Sequence, residues 1–334
     1  MLSLALEPTN LCNRRCLHCD RDKLEPRESI SLALADSILS QARALGIGLI
    51  HLTGGEVALY PQLEELINMI VNFGLKFDLV TNGLRFQERM LPLLTQPGIK
   101  KKLEGVCLSL DSAEAASHDA LRGEGSFKEV MAAATLCRLK EIPLSLKSVV
   151  TNFNKCELTE LALLGATLGA TDHGFIFPSP TPALIRERVI PAPEELEKLM
   201  ALVSGSLART VRTRICPEGY GIDVLSTCNA FNTVNVDYLG NLVFCCNLSH
   251  VTGDGEPSLM GEEIVADLNE VSLGEGVSRH FYLLARFITA RLGDAENLSG
   301  LTRNPCYWCQ NYFGKLNWLK NYPDSPWADG VRNI

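Results

Sequence analysis

Hydrophobic positions along the first 190 or so residues follow two alternating rhythms. Short runs rich in apolar and β-branched residues indicate strands, and between them apolar residues recur at the spacing of amphipathic helices. Helical spacing is clear between residues 34 and 45 and between residues 63 and 71. The predicted strands are residues 2–7, 49–53, 77–81, 105–110, 144–151 and 175–177.

A strand–helix alternation of this kind predicts an α/β fold with parallel strands joined by right-handed crossovers, either an open sheet or a barrel-like one. Ligands then bind at the carboxyl ends of the strands. Prolines cluster at residues 177–182 and again at Pro191 and Pro193, which predicts a boundary between a core at residues 1–195 and a smaller domain at residues 196–334. The sequence of residues 194–207 predicts a helix that links the two domains.

Charge and composition exclude several classes of protein. The net charge of -8 gives no general attraction to nucleic acid or anionic lipid. The apolar start of the chain has no basic flank and is interrupted by Glu7 and Pro8, which predicts neither a signal peptide nor a membrane span. Twelve cysteines without an export signal indicate a cytoplasmic protein whose thiols bind metal or act in catalysis.

Three of these cysteines lie close together directly after the first predicted strand. Cys12, Cys16 and Cys19 could hold an iron–sulfur cube whose fourth iron has no protein ligand. Zinc is the alternative, with His18 as a fourth donor or with an open position. Spacing alone leaves both possibilities open.

The spacing C-x3-C-x2-C after a first strand resembles the signature of the radical S-adenosylmethionine (SAM) superfamily. The resemblance implies a partial (β/α)6 TIM-like barrel and a [4Fe-4S] cluster whose open iron chelates SAM. One electron then cleaves SAM to methionine and a 5′-deoxyadenosyl radical. His18, the residue before the third cysteine, is implied to pack on the adenine.

Further motifs follow the next strands in the order that this resemblance requires. Gly54, Gly55 and Glu56 are similar to the family's GGE motif, in which the glutamate binds the SAM ammonium. Taken alone, such a motif is also a common helix-entry turn. Asn82, in an Asn–Gly pair that is otherwise an ordinary turn, stands where related enzymes contact SAM.

The fourth predicted strand ends in Ser109-Leu110-Asp111. Ser109 and Asp111 share one face because strand side chains alternate, and they resemble the family's ribose-binding S-x-D pattern. Arg122, in the segment that follows, is implied to pair with the SAM carboxylate in a fork. A surface arginine is the alternative.

Four later cysteines form a second set. Asp237 to Asn241 predict the turn of a hairpin that brings Cys228 and Cys245 together, and a distant pair follows; the four cysteines are Cys228, Cys245, Cys306 and Cys309. Four thiolates fit a closed iron–sulfur cluster or a structural zinc ion. The pattern is similar to the SPASM/twitch extension, in its one-cluster twitch form, which implies a β-hairpin plus helix holding an auxiliary [4Fe-4S] cluster.

The remaining cysteines have fewer signals. Cys107 and Cys137 are predicted to be buried core residues. Cys246 has two interpretations, a small buried residue and a hydrogen-atom donor to a substrate radical; Cys216 is the other candidate donor. Aromatic residues from position 307 to position 327 are predicted to pack the second domain rather than to cover the active site.

The resemblance implies a cytoplasmic radical SAM enzyme that abstracts a hydrogen atom from its substrate. A ribosomally made peptide, epimerised or cross-linked, is the first substrate class; dehydrogenation or epimerisation of an aminoglycoside-type sugar or another small molecule is the second. Expected partners are a flavodoxin or ferredoxin and a separate leader-peptide-binding protein, with no nucleic acid and no membrane. A zinc-stabilised binding or scaffold protein is the alternative from another class.

Overall fold

Side chains along each strand alternate between an apolar convex face and a polar concave face of one curved sheet. Leu4 and Leu6 in the first strand are fully buried in the main hydrophobic core together with Ile38 of the following helix. Ala5, between them, lines a cavity on the other face. The computed structural model describes residues 2–19, 27–208, 212–216, 228–248, 263–294 and 304–328.

Ten strands of the described residues form this sheet, in the order β10-β9-β8-β1-β2-β3-β4-β5-β6-β7. Strands β1 to β7 are parallel, β8 adds to β1 in parallel, and β9 and β10 are antiparallel. Their bounds are β1 Ser3–Leu6, β2 Leu49–Leu52, β3 Lys76–Thr81, β4 Leu103–Ser109, β5 Leu144–Val149, β6 Asp172–Ile176, β7 Thr213–Cys216, β8 Thr233–Val236, β9 Asn241–Val243 and β10 Ile264–Asp267.

Helices cover the convex face and follow the strands as crossover connections. The first is capped by Ser31, whose hydroxyl accepts a hydrogen bond from Leu34 N. Among the described helices, none has the length and apolar character needed to cross a bilayer. Their bounds are α1 Leu32–Ala44, α2 Leu63–Asn72, α3 Leu91–Leu94, α4 Pro97–Lys100, α5 Ala115–Arg122, α6 Ser126–Leu139, α7 Leu158–Leu168, α8 Pro182–Arg186, α9 Pro193–Leu202, α10 Leu273–Gly293 and α11 Pro305–Tyr312.

The predicted α/β fold with a parallel, barrel-like sheet is confirmed. The sixth strand begins at Asp172 rather than at Phe175, because Asp172 and Gly174 lie on the polar concave side and carry no apolar signal. The helix predicted at residues 194–207 is α9 followed by a π-helical segment, Val203–Leu207. Position 195 therefore lies inside a helix, and β8 continues the sheet beside β1; the division into two domains stays a prediction.

Aromatic residues of the C-terminal tail divide between two hydrophobic clusters. Tyr307, Trp318 and Trp327 join the main core, which also contains Val234 and Leu242 of β8 and β9, and their packing of a separate second domain stays a prediction. Trp308 packs with Phe244 in a smaller cluster that also contains Phe287, Tyr312 and Phe313. The tail thus ties the second cysteine region to the main sheet.

Candidate active site

Close backbone contacts hold the first cysteine loop against the end of β2. Gly55 N donates to Thr9 O at 2.9 Å and Glu56 N donates to Leu11 O at 2.7 Å. A Cβ atom on Gly54 would lie 2.7 Å from Thr9 O, and one on Gly55 would lie 2.1 Å from Leu11 O. Both glycines therefore allow the loop backbone to approach. Their contact with SAM stays a prediction.

The opposite side of the loop is fixed to the α5–α6 turn. Arg14, between the first two cysteines, donates to Glu124 O at 2.9 Å and forms an ion pair with Glu129 at 2.5 Å. Leu17 N donates to Leu121 O at 2.9 Å. No sequence motif singles out Arg14, because its partners lie more than one hundred residues away.

Cys12, Cys16 and Cys19 are half-buried on this loop and interact electrostatically with one another. Burial raises the pKa of Cys12, and it raises the pKa of Cys16 to about 11. Arg122 Nη1 lies 3.9 Å from Cys16 Sγ and favours its thiolate. The loop therefore offers three thiols beside one buried cation.

Arg122 is itself part of a buried ion pair. Its Nε lies 2.5 Å from Asp111 Oδ2, and the two residues are 7% and 0% exposed. Burial opposes ionisation of Asp111, but Arg122, His18 and the hydrogen bond from Val149 N together outweigh it, so the pKa of Asp111 is lowered. The interpretation of Arg122 as a surface residue is wrong. The two residues meet each other, which neither motif predicts, and their contacts with SAM stay predictions.

His18 lies beside this ion pair, with its side chain 8% exposed and Nδ1 3.6 Å from Asp111 Oδ2. Within the described part of the chain, this buried nitrogen has no hydrogen-bond partner. Burial lowers the pKa of His18 to about 4, so the ring is neutral at neutral pH. A neutral ring suits the predicted packing against a flat base.

Glu56 is fully buried and joins the ends of β2 and β3. Its carboxylate accepts from Thr81 Oγ1 at 2.6 Å and from Asn82 N at 2.8 Å. Asn82 Nδ2 in turn donates to Asn13 on the cysteine loop at 2.9 Å. Burial raises the pKa of Glu56. Both residues brace the loop, and their binding of SAM stays a prediction.

A cavity of about 470 Å³ lies on the concave face of the sheet and extends from Glu7 and Thr53, after β1 and β2, to the first residues of β5 and β6. His51 Nδ1 and Asp78 form a hydrogen-bonded pair at 2.8 Å on one wall, and Arg214 pairs with Asp172 at 3.0 Å on the other. Lys147, also in the lining, is the direct cross-strand neighbour of Ser109. The sequence signal for this lining is the polar residue within each apolar strand.

The structure brings together the four cysteines of the second set around another cavity, which also contacts Phe244 and Phe287. Cys228 and Cys245 flank the β8–β9 hairpin, as the sequence predicts, and Cys306 and Cys309 lie one turn apart in α11. Asn304 Oδ1 caps that helix by accepting from Cys306 N at 2.8 Å. Burial raises the pKa of Cys306 to about 12.

Cys246 is exposed and lines the concave cavity, so its interpretation as a small buried residue is wrong. It also interacts electrostatically with Cys245 and Cys306. Asn229 lines both cavities. The second cysteine set therefore adjoins the concave cavity. Cys216 ends β7, and its side chain lies outside the described residues.

The remaining cysteines belong to neither set. Cys107 and Cys137 are buried, as predicted, but only Cys137 is part of the hydrophobic core, because Cys107 lines the concave cavity; Cys156 is exposed. In the described part of the chain, no three His, Cys, Asp or Glu side chains converge on the position of a single metal ion. An iron–sulfur cube needs a different geometry, because each of its thiolates binds a different iron.

Comparison with known proteins identifies the family of the segment that contains the first cysteine set. The family model of the radical SAM superfamily matches residues 6–164. These residues belong to the radical SAM superfamily. The matched region contains the first cysteine loop, the GGE segment and the Asp111–Arg122 pair.

The chain is also similar to individual proteins. The AdoMet-dependent heme synthase of Methanosarcina barkeri is 26% identical over 260 residues, 72% of each chain. The PqqA peptide cyclase of Gluconobacter oxydans is 31% identical over 172 residues, 51% of this chain and 47% of the cyclase. The chain thus aligns with only about half the length of that cyclase. Streptococcus suis SuiB, solved with S-adenosylmethionine, superposes with a TM-score of 0.63 at 16% identity, covering 83% of this chain and 68% of SuiB.

The cofactors of this radical SAM enzyme are a [4Fe-4S] cluster and SAM. The site fits both groups. Cys12, Cys16 and Cys19 supply three thiols for a cluster with an open iron, and Arg122 stabilises the charge that the thiolates would carry. The buried Nδ1 of His18, without a partner in the described residues, fits a polar ligand beside that cluster.

Proposed function

We propose that the enzyme modifies a ribosomally made peptide, with the first cluster on Cys12, Cys16 and Cys19 and an auxiliary cluster on the second cysteine set. The observation that carries the auxiliary cluster is the cavity lined by Cys228, Cys245, Cys306 and Cys309 beside the concave cavity. The similarity to the PqqA peptide cyclase supports a peptide substrate. The auxiliary cluster would serve as an electron acceptor or relay next to the substrate.

When bound, the first cluster and SAM supply a 5′-deoxyadenosyl radical that removes a hydrogen atom from the substrate. SAM would be bound or oriented by side chains around the cluster, namely Glu56, Asn82, Ser109, Asp111 and Arg122. His18 would pack on the adenine of SAM. The charged walls of the concave cavity would hold the substrate.

The exposed thiol of Cys246 supports epimerisation as the outcome. In that step the S–H bond breaks and a C–H bond forms on the opposite face of the substrate carbon. The thiyl radical left on Cys246 returns to the thiol by taking one electron, from a flavodoxin or ferredoxin, and one proton. Cys216, at the end of β7, is the second candidate donor.

The metal content tests the first part of this proposal. Protein purified anaerobically should be brown, contain about eight irons and release 5′-deoxyadenosine from SAM on reduction. Colourless protein with stoichiometric zinc would contradict the proposal and favour a zinc-stabilised scaffold. Cys16→Ala is the negative control for SAM cleavage.

Mass spectrometry of a short peptide encoded beside the gene tests the substrate class. With SAM and reductant in deuterated water, epimerisation through an exchangeable thiol adds one deuterium, whereas a cross-link removes two hydrogens. Replacing Cys246 with alanine should abolish deuterium incorporation but not SAM cleavage. The assay is repeated with any leader-peptide-binding protein encoded nearby.

A small-molecule substrate is the second candidate, and one observation favours it. The similarity to the AdoMet-dependent heme synthase extends over 72% of each chain, whereas that to the peptide cyclase covers about half of each. An unchanged peptide mass, together with conversion of a small molecule made by neighbouring genes, would support this candidate instead.

A further inference from the structure

A buried arginine lies beside the second cysteine set. Arg291, near the end of α10, is 2% exposed, and its guanidinium carbon lies 5.5 Å from the centre of the Trp308 ring. Trp308 stands between Cys306 and Cys309 on α11. The cation therefore rests on the short turn that carries two of the four thiols.

The tryptophan on which Arg291 rests is itself held in place. Trp308 Nε1 donates to Asp294 Oδ2 at 3.2 Å, and the ring stacks on Tyr312 with centres 5.2 Å apart. Phe287 packs edge-on against it at 5.3 Å. A fixed ring gives the guanidinium a fixed position, because a cation is attracted to the face of an aromatic ring.

Arg291 interacts electrostatically with Cys228, Cys306 and Cys309. Burying a cation is unfavourable unless negative charge lies nearby. Asp294 supplies one such charge. Four thiolates that hold an iron–sulfur cluster carry net negative charge, and each electron accepted by the cluster adds to it. Arg291 thus complements a filled site better than an empty one.

We propose that Arg291 is a positioning residue that stabilises the ligated thiolates and raises the reduction potential of the auxiliary cluster. This inference rests on the proposed auxiliary cluster. The potential rises because a nearby cation in a poorly hydrated site stabilises the reduced, more negative state more than the oxidised one. Arg291 would thereby set how readily the auxiliary cluster, acting as a relay, accepts the electron from flavodoxin or ferredoxin that returns the Cys246 thiyl radical to the thiol.

The test uses full-length protein in which Cys12, Cys16 and Cys19 are all alanine, so that only the auxiliary cluster is observed. Arg291→Gln removes the charge, Arg291→Lys keeps it, and Arg286→Gln removes an exposed charge from the same helix. Redox titration followed by electron paramagnetic resonance gives the potential. Exposure to a chelator gives the rate of iron loss.

In Arg291→Gln the potential should become more negative, and iron loss should be about tenfold faster, as expected when a residue that supports metal ligands is removed. Arg291→Lys and Arg286→Gln should both stay near the parent protein. Equal potentials and rates in Arg291→Gln and Arg286→Gln, with iron present, overturn the role of Arg291 alone. A triple-alanine protein that binds no iron overturns the auxiliary cluster and the role of Arg291 together.

Discussion

The two cysteine regions solve the same electrostatic problem in different ways. Each places one buried arginine near cysteine thiols, Arg122 in the first region and Arg291 in the second. Arg122 is bound to the carboxylate of Asp111 at 2.5 Å. Arg291 instead rests on the ring of Trp308. The first cation is bound to a carboxylate, whereas the second lies over an aromatic ring and interacts electrostatically with three of the thiols.

The side chains around the two regions also differ in polarity. The cysteines of both sets are half-buried. Polar neighbours and His18 Nδ1, which has no hydrogen-bond partner among the described residues, leave the first region suited to a polar ligand. Aromatic residues, among them Phe244 and Phe287, enclose the second. This difference favours SAM chemistry at the first region and electron transfer without ligand exchange at the second.

The largest expected effect is the loss of SAM cleavage when the first region is changed. Cys16→Ala should reduce release of 5′-deoxyadenosine to background and lower the iron content from about eight to about four, because one cluster loses a ligand. Iron analysis and chromatography of the reaction mixture measure both. Cys156→Ala, at an exposed cysteine that belongs to neither set, should change neither. SAM cleavage that persists in Cys16→Ala would contradict the assignment of the first region.

The second prediction tests whether the second region is needed for substrate modification but not for SAM cleavage. Cys309→Ala should abolish substrate modification while SAM cleavage stays within about twofold of the parent enzyme, because the radical forms at the other region. Product analysis and 5′-deoxyadenosine release are measured on the same sample. Loss of SAM cleavage in this variant would show that the two regions do not act separately.

Much of this comparison follows from the sequence, because its signals are local. Strand periodicity and cysteine spacing place Cys12, Cys16 and Cys19 after β1, and the hairpin signal brings Cys228 next to Cys245. Short patterns of this kind survive folding with shifts of only a few residues at element ends.

What the sequence does not reveal depends on side chains that meet across distant loops. Asp111 and Arg122 each match a SAM-binding motif, and nothing in either motif indicates that they pair with each other. Gly55 is needed because backbone from another loop passes over it. Arg291 has no motif, since its role depends on the face of Trp308, which only the packing of α10 against α11 provides.

The third prediction tests whether the protein itself balances Arg122. Asp111→Asn leaves that cation buried without its anion, which should destabilise the iron-free protein by about 3 kcal/mol, typical of a broken buried pair. SAM affinity of the loaded enzyme should fall roughly tenfold if Arg122 moves, which corresponds to about 1.4 kcal/mol. Urea unfolding and equilibrium binding give the two values. Adding Arg122→Met should recover part of the stability, and additive losses in the double variant would refute the coupling.

The smallest expected effect is the loss of stability at low pH, and it concerns the surroundings of the first region. His118 Nδ1 accepts a hydrogen bond from Asp111 N at 3.1 Å, so the ring must stay neutral there. Burial lowers its pKa to about 4, against about 6.5 in the unfolded chain. Between these values the unfolded chain binds more protons at this residue, so the contribution of His118 to stability falls by about 2 kcal/mol between pH 7 and pH 5. His18, whose pKa is also about 4, adds a contribution of the same sign. The contribution of Asp111, whose pKa is lowered, is lost only below about pH 3.9.

Urea unfolding of the iron-free protein at both pH values should show a weaker dependence of stability on pH for His118→Asn, whose side-chain oxygen can still accept the Asp111 hydrogen bond. An unchanged dependence would remove His118 from the support of the first region.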